Sequence, residues 1–493
     1  MSFGELIGYL VLAIYILALL YITFYCLMQF HLLLQYRKSR WHQPARPKQL
    51  TDYPVVTVQL PIYNERYVVN RLIDRICALD YPKDKLEIQV LDDSTDDTVD
   101  LSRRKVEAYR AQGFDIKLIT RTDRTGYKAG ALQHGLRSAR GAFIAIFDAD
   151  FLPRADFLTT TLPFFRDDHV GVVQTKWEHI NQDYSLITQL QAFQLNVHFT
   201  VEQSGRQAGA YMLQFNGTAG VWRRATIDDA GGWQSDTLTE DLDLSYRAQL
   251  RGWKIRYLEF FGSPAELPAE MNGLKSQQFR WMKGGAETAR KMLPTVWKSD
   301  LTSGQKVHAS LHLLSSTVFV FVFILGVLSV PVSFLIKPLG VNIDYLTVSL
   351  LSFVSIIAIY YVANVKASWG AGSKWRKLLK FILLFPLFLS LSMGLSLHNT
   401  VAVIQGYLGR KSPFVRTPKF NIQSLTDRIG KRSYLARKLP FTTLVEGLLA
   451  LYFLAAVIIG IALDDTSFIF FHILLMFGYG TICYYSIRHL SMQ

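Results

Sequence analysis

Hydrophobic positions along this chain fall into two blocks, with a stretch of mixed polarity between them. Residues 6–34 hold enough apolar length to cross a bilayer. That segment is too long for a signal peptide, starts without a basic region and carries no small-residue cleavage site. An uncleaved membrane helix over 1–36 is therefore expected. Arg37, Lys38 and Arg40 follow at once, which puts the cytoplasm at its C-terminal end. Pro44, Pro47 and Pro54 mark 37–54 as a linker.

Residues 55–300 alternate short β-branched runs with helical patterns. The runs 55–60, 86–91, 115–120, 143–147 and 170–174 read as strands, and 68–79 and 99–112 as helices. Such alternation predicts an α/β domain built on a mostly parallel sheet with helices on both faces. Ligands of such sheets bind beyond the C-terminal strand ends. Acidic pairs that follow 86–91 and 143–147 should thus face one crevice.

From residue 308 the chain is apolar again, and 308–493 reads as a membrane domain. Segments 311–336, 345–365, 441–463 and 468–487 are expected spans. The segment 380–408 is apolar but carries Ser390, Ser392, Ser396, His398, Asn399 and Gln405. Lys366, Lys374, Arg376 and Lys377 precede it, and 405–440 holds nine Lys/Arg against one acid, so both flanks belong in the cytoplasm. The segment must then cross twice or not at all, and it is too short to cross twice. An interfacial or re-entrant helix is expected, and five spans in all.

The net charge of +14 is compatible with nucleic acid, a membrane surface or an anionic substrate. No recognition helix or aromatic–basic sheet motif is present and the basic runs sit beside the spans, so nucleic acid is not an expected partner. Cys26, Cys77 and Cys483 form neither a disulfide framework nor a zinc spacing, which fits a reducing compartment.

Four clusters carry candidate chemistry. Asp148 and Asp150, at i and i+2 beyond a strand, can face one way and hold Mg²⁺ or Mn²⁺ together with substrate phosphates. A solvated loop or helix cap is the plain alternative. Asp92 and Asp93 can accept a hydrogen bond from a nucleotide base or ribose, or simply cap the helix near Val99. Thr239-Glu240-Asp241 offers a carboxylate base for an attacking hydroxyl, although acids also enrich any first helical turn. Gln277, Arg280 and Trp281 share one helix face, where Arg can fork onto phosphate and Trp can stack on a sugar. The alternative there is an ordinary amphipathic helix with a packed Trp. Lys128 between Gly126 and Gly130 can lie near phosphate or merely in a turn. The sequon Asn216-Gly217-Thr218 is inert if cytoplasmic. Glu446, inside an expected span, is either functional or within reach of the interface.

In this order the clusters resemble the D, DxD, TED, QxxRW pattern of processive family 2 glycosyltransferases, most closely the cellulose synthase-like A and C families of β-mannan and β-glucan synthases. Gln59-Leu60-Pro61-Ile62-Tyr63-Asn64-Glu65, Phe215-Asn216-Gly217-Thr218 and Gly231-Gly232-Trp233 carry the same likeness. The resemblance implies a GT-A-type domain over 55–300, inserted between membrane helices. It places Asp92, Asp93, Lys128, Asp148, Asp150, Tyr63, Glu65 and Arg280 with the donor and Asp148 and Asp150 on the metal. It makes Asp241 the base, beside Thr239 and Glu240, and sets Gln277, Trp281, Phe215, Asn216, Gly217 and Thr218 against the acceptor. Phe414, Thr417 and Lys419 resemble a gating loop, F-x-V-T-x-K, within 409–440. Arg416 stands where that pattern has Val, and Ala131 where the family's Lys-Ala-Gly-Asn has Asn. A merely basic juxtamembrane segment is the other reading of this loop.

The expected activity is inverting transfer from UDP-glucose or GDP-mannose onto a growing β-glycan that leaves through the membrane helices, in company with membrane lipid and with room for accessory export proteins. The catalytic domain is expected in the cytoplasm, and a bacterial plasma membrane is expected over a Golgi membrane. The rivals are a transferase that adds one sugar to a lipid, as ceramide glucosyltransferases do, and a channel with a vestigial transferase domain.

Overall fold

The computed structural model describes every residue except 1–2, 40–46, 337, 341–348, 368–372, 413, 423–426, 428–439 and 491–493. Its centre is a sheet of seven strands: β1 (Val56–Ile62), β2 (Leu86–Asp92), β3 (Asp115–Ile119), β4 (Phe143–Ile146), β5 (Val170–His179), β6 (Gly220–Arg223) and β7 (Lys254–Ala265). They lie in the order β3-β2-β1-β4-β6-β5-β7. The pairs β1–β2, β1–β4, β2–β3 and β5–β7 are parallel, and only β6 runs against its neighbours. The five expected strands and the expected mostly parallel α/β class are present. Gly220–Arg223 is too short and too glycine-led to stand out by pattern, and Lys254–Ala265 breaks alternation with Phe260-Phe261.

Residues of β1 and β2 are buried along nearly their whole length, as a sheet covered on both faces requires. Val56, Val58, Leu60, Ile88 and Val90 pack with Leu72, Ile73 and Ile76 of the helix Val69–Cys77. Each such side chain contributes roughly 1.5–3 kcal/mol through burial. Polar side chains buried between β1 and β2 pair across the strands: Thr57 Oγ1 donates to Glu87 at 2.6 Å and Gln59 Nε2 to Gln89 Oε1 at 3.0 Å.

Strand direction decides where the site forms. The C-terminal ends of the parallel β1, β2 and β4 share one sheet edge, at the point where chain order reverses between β1 and β4. Because β6 is antiparallel to β4, the residues before β6 reach that same edge.

Among the described residues five helices are long and apolar enough to cross a membrane: Phe3–Lys38, Ser303–Leu335, Lys374–Gly394, Phe441–Ala462 and Ile469–Arg488. The chain is a multi-pass integral membrane protein. Leu10, Leu17, Leu448 and Leu451 are exposed on these helices, as a lipid-facing surface needs. The number matches expectation but the members differ. Lys374–Gly394 qualifies by length and composition, whereas Leu350–Lys366 is a shorter apolar helix. The start of the expected 345–365 span lies outside the described residues. Lys374–Gly394 crosses Ile469–Arg488 at Gly394 and Gly478, where a methyl on either residue would fall on the other helix's backbone. It then leads into Ser396–Tyr407, which packs along the helix Met271–Lys298.

Candidate active site

The crevice at the strand ends gathers most of the expected residues. Asp93 leaves β2, Tyr63 and Glu65 follow β1, and Asp148 and Asp150 follow β4; all line one cavity. Thr239, Glu240, Asp241, Lys128, Asn216, Gly217, Gln277, Arg280, Trp281, Phe414, Thr417 and Lys419 line it too.

Asp92, Phe215 and Thr218 do not. Asp92, the last residue of β2, is almost fully buried. Its carboxylate accepts from Ser94 N at 2.9 Å and Ser102 Oγ at 2.6 Å, so it shapes the loop instead of facing a ligand. Phe215 is buried edge-on to Trp222. Thr218 is buried, and its Oγ1 accepts from Asp148 N at 2.9 Å, which fixes the aspartate's backbone.

Asp93 accepts a forked pair of hydrogen bonds from Arg121. Arg124, three residues on, lies over the Tyr63 ring at 3.1 Å from its centre. Neither arginine was among the expected residues, because they lie in a loop without a motif.

Asp148 and Asp150 each hold an ammonium. Lys128 Nζ donates to Asp148 Oδ1 at 2.5 Å and to Gly217 O at 3.0 Å. Lys419 Nζ donates to Asp150 Oδ2 at 2.7 Å and to Glu266 O at 2.9 Å. Burial works against the charge on Lys128, but Asp148, Glu240 and Asp241 outweigh it and hold its pKa above the ordinary value. Among the described residues no cluster of three or more His, Cys, Asp or Glu forms a complete metal cage. Two hard oxygen donors fit Mg²⁺ or Mn²⁺ whose remaining ligands would come from phosphate and water, in competition with the ammonium groups of Lys128 and Lys419.

Thr239 precedes the helix Glu240–Leu250, whose first turn carries Glu240, Asp241 and Asp243. The acids therefore meet the positive helix end, as any first turn favours. Asp241 also turns into the cavity: a Cβ on Gly217 would lie 3.0 Å from its Oδ2. Gly217 has φ +78°, so glycine suits both the backbone and the space there. Burial and then the neighbouring Glu240 push the Asp241 carboxyl up to about 7, against the pull of Lys128. A carboxylate with that value can accept a proton near neutral pH.

The helix Met271–Lys298 presents Gln277, Arg280 and Trp281 to the cavity. Arg280 donates to Val415 O at 2.8 Å and Thr417 Oγ1 at 3.0 Å, and its guanidinium lies 4.7 Å from the Phe414 ring centre. Burial lowers its pKa to about 10, opposed by Asp148 and Glu240. Phe414 stacks on Tyr127 at 5.6 Å. Arg416, the departure from the gating pattern, pairs with Glu65 at 3.0 Å. Burial pushes the Glu65 carboxyl up to about 8 against the charge of Arg416. Phe414, Arg416, Thr417 and Lys419 thus all line the crevice.

Two residues before Gln277, buried Lys275 reaches Glu446 at 2.8 Å and Thr443 Oγ1 at 3.1 Å. Glu446 is thereby the anchor of the Trp281 helix to Phe441–Ala462, a role its position in an apolar segment did not disclose.

The family described as glycosyltransferase like family 2 matches residues 54–284. The chain is 35% identical over 388 residues to the probable glucomannan 4-β-mannosyltransferase 4 of Oryza sativa subsp. japonica, covering 78% of this chain and 67% of that protein. It is 36% identical over 381 residues to glucomannan 4-β-mannosyltransferase 2 of Arabidopsis thaliana, covering 75% and 68%. In fold it is similar to a mannosyltransferase from Pyrobaculum calidifontis in complex with GDP-Man and Mn²⁺. There the TM-score is 0.50 at 20% identity, covering 79% of this chain and 100% of that one. The chain belongs to glycosyltransferase family 2, close to the cellulose synthase-like A proteins, and is a glycosyltransferase.

Proposed function

We propose that this enzyme extends a β-mannan or glucomannan chain from GDP-mannose and passes the product into the membrane domain. The carrying observation is one cavity of about 630 Å³. Asp93, Asp148, Asp150, Asp241 and Trp281 line it together with Tyr25, Phe319, Tyr360 and Phe388 from the apolar helices. A lipid acceptor would also reach the site from the helices, so the polymer reading over a single-sugar lipid product is supported by the glucomannan 4-β-mannosyltransferase relatives. The mannosyl donor is supported by the kinship with glucomannan 4-β-mannosyltransferases.

In this reading Asp241 takes the proton from the acceptor hydroxyl as it attacks the anomeric carbon, and the nucleoside diphosphate leaves on the opposite face, inverting the centre. Trp281 holds the acceptor sugar by its apolar face. Lys128, Arg280, Arg416 and Lys419 supply positive charge for the diphosphate. Asp148 and Asp150 would hold a divalent ion, which when bound would neutralise charge on the departing diphosphate. The catalytic domain lies on the cytoplasmic side, given the basic residues that end the first helix.

The test is transfer by purified protein in liposomes with Mn²⁺ or Mg²⁺ and labelled GDP-mannose or UDP-glucose in parallel. A product from GDP-mannose that endo-β-1,4-mannanase degrades supports the reading. A product from UDP-glucose alone overturns the donor assignment.

A further inference from the structure

The chain bends from one helix into the next at His198–Glu202, a single turn of π-helix. Such turns displace side chains that regular α-helical bonding would stack, and they occur often at functional sites. Here the turn sends His198, Phe199 and Glu202 into the cavity. The hydrogen bonds around them run in one direction. Gln203 Nε2 donates to Asn216 Oδ1 at 2.8 Å, Asn216 Nδ2 donates to His198 Nε2 at 2.9 Å, and His198 Nδ1 donates to Glu202 Oε2 at 2.9 Å. The amide fixes the imidazole proton on Nδ1, and the imidazole fixes the carboxylate. No described residue hydrogen-bonds Glu202 Oε1, and the side chain keeps a 20% exposed surface. Burial opposes its charge, but the hydrogen bond from His198 and the charge of Arg206 hold the carboxyl below its usual range.

Beside this acceptor-only edge lies an apolar wall. Phe199 is buried and stacks on Trp177 with ring centres 4.9 Å apart, so the partly exposed Trp177 supplies the apolar surface on the cavity side. An aromatic face next to a fixed hydrogen-bond acceptor suits a sugar ring, whose C–H face is apolar and whose rim is hydroxyl. The group also adjoins the chemistry, since Asn216 precedes Gly217, which abuts Asp241.

We infer that His198, Glu202 and Asn216, with Trp177 and Phe199, form a subsite for a neutral sugar unit of the acceptor, distinct from the Trp281 position. It rests on the glycan-extending reading above. Glu202 accepts a hydroxyl of that unit and repels a carboxylate, so the subsite selects neutral glycans over uronate-bearing ones.

The test is donor-free binding of mannohexaose to the full chain in detergent micelles, followed by saturation-transfer NMR, with an acidic hexasaccharide in parallel. Wild type should bind the neutral oligosaccharide at least tenfold more tightly than the acidic one. Glu202→Ala and His198→Ala should weaken mannohexaose about tenfold while GDP binding stays within twofold. Glu202→Gln, which keeps size and removes charge, should narrow the neutral-over-acidic preference. Unchanged mannohexaose binding in both alanine variants overturns the subsite, as does a wild type that binds no oligosaccharide. A wild type that binds mannohexaose with this preference but transfers no mannose supports the subsite and overturns the mannosyl donor instead.

Discussion

Lys419 Nζ sits 2.7 Å from Asp150 Oδ2 across 269 residues of chain. The loop from the membrane domain thereby neutralises a carboxylate that a divalent ion would otherwise take. Loop and ion compete for one oxygen, so Lys419→Ala should tighten Mn²⁺ binding about three- to tenfold, read by titration calorimetry. Transfer should fall more than tenfold in the same variant, because the diphosphate loses a cation. Mn²⁺ affinity that does not rise contradicts the competition.

Asp241 should govern the acid side of the pH profile. Its carboxyl is pushed up to about 7 by burial and by Glu240, with Lys128 opposing. Below that value it is protonated and cannot accept the hydroxyl proton. The free-enzyme parameter kcat/KM should therefore fall about tenfold per unit as pH drops below roughly 7. Asp241→Asn should lose about 10²–10⁴-fold in kcat while GDP affinity stays within twofold. The linkage sign is also fixed. A raised native pKa favours the protonated fold, so that contribution is present at low pH and is lost as pH rises through about 7. The asparagine variant should accordingly melt at or above the wild-type temperature at pH 8.

Trp281 lines the cavity with its apolar ring system, so its contribution is contact area. Trp281→Ala should raise the acceptor KM at least tenfold and leave the donor KM near wild type; Trp281→Phe should fall between. Steady-state kinetics with oligosaccharide acceptor at fixed donor separates the two parameters.

The buried Lys275–Glu446 pair joins the acceptor helix to the membrane helix behind it. Removing one partner strands a buried charge, at a cost on the order of 3–5 kcal/mol. Glu446→Gln and Lys275→Met should each lower thermal stability in detergent. The double change Lys275→Met with Glu446→Leu should regain much of the loss. A double variant no more stable than either single one contradicts the pairing.

The sequence disclosed the parts of the site that local rules govern. Asp148 and Asp150 were readable because an apolar run, 143–147, leads straight into them. Alternation along a strand sends neighbours to opposite faces, and β2 shows its consequence: Asp92 turns into the fold and Asp93 into the crevice. Two adjacent aspartates look equivalent in one dimension and are separated only by the register of β2. Phe215 and Thr218 lie outside the cavity because their side chains turn inward, Phe215 against Trp222 and Thr218 onto the Asp148 amide, while Asn216 and Gly217 between them face it. Arg416–Glu65, Lys419–Asp150 and Lys275–Glu446 join positions at least 171 residues apart, which no periodicity reports. The π-turn at His198–Glu202 was likewise invisible, since no residue type marks the change in helical bonding.

The most direct measurement is the length of the product at low conversion, from GDP-mannose and a labelled short primer in liposomes. The account predicts a few long mannanase-sensitive chains beside unused primer, because the acceptor stays threaded in a cavity shared with the membrane helices. A single mannose on lipid, or a ladder of primers each longer by one unit, would contradict it.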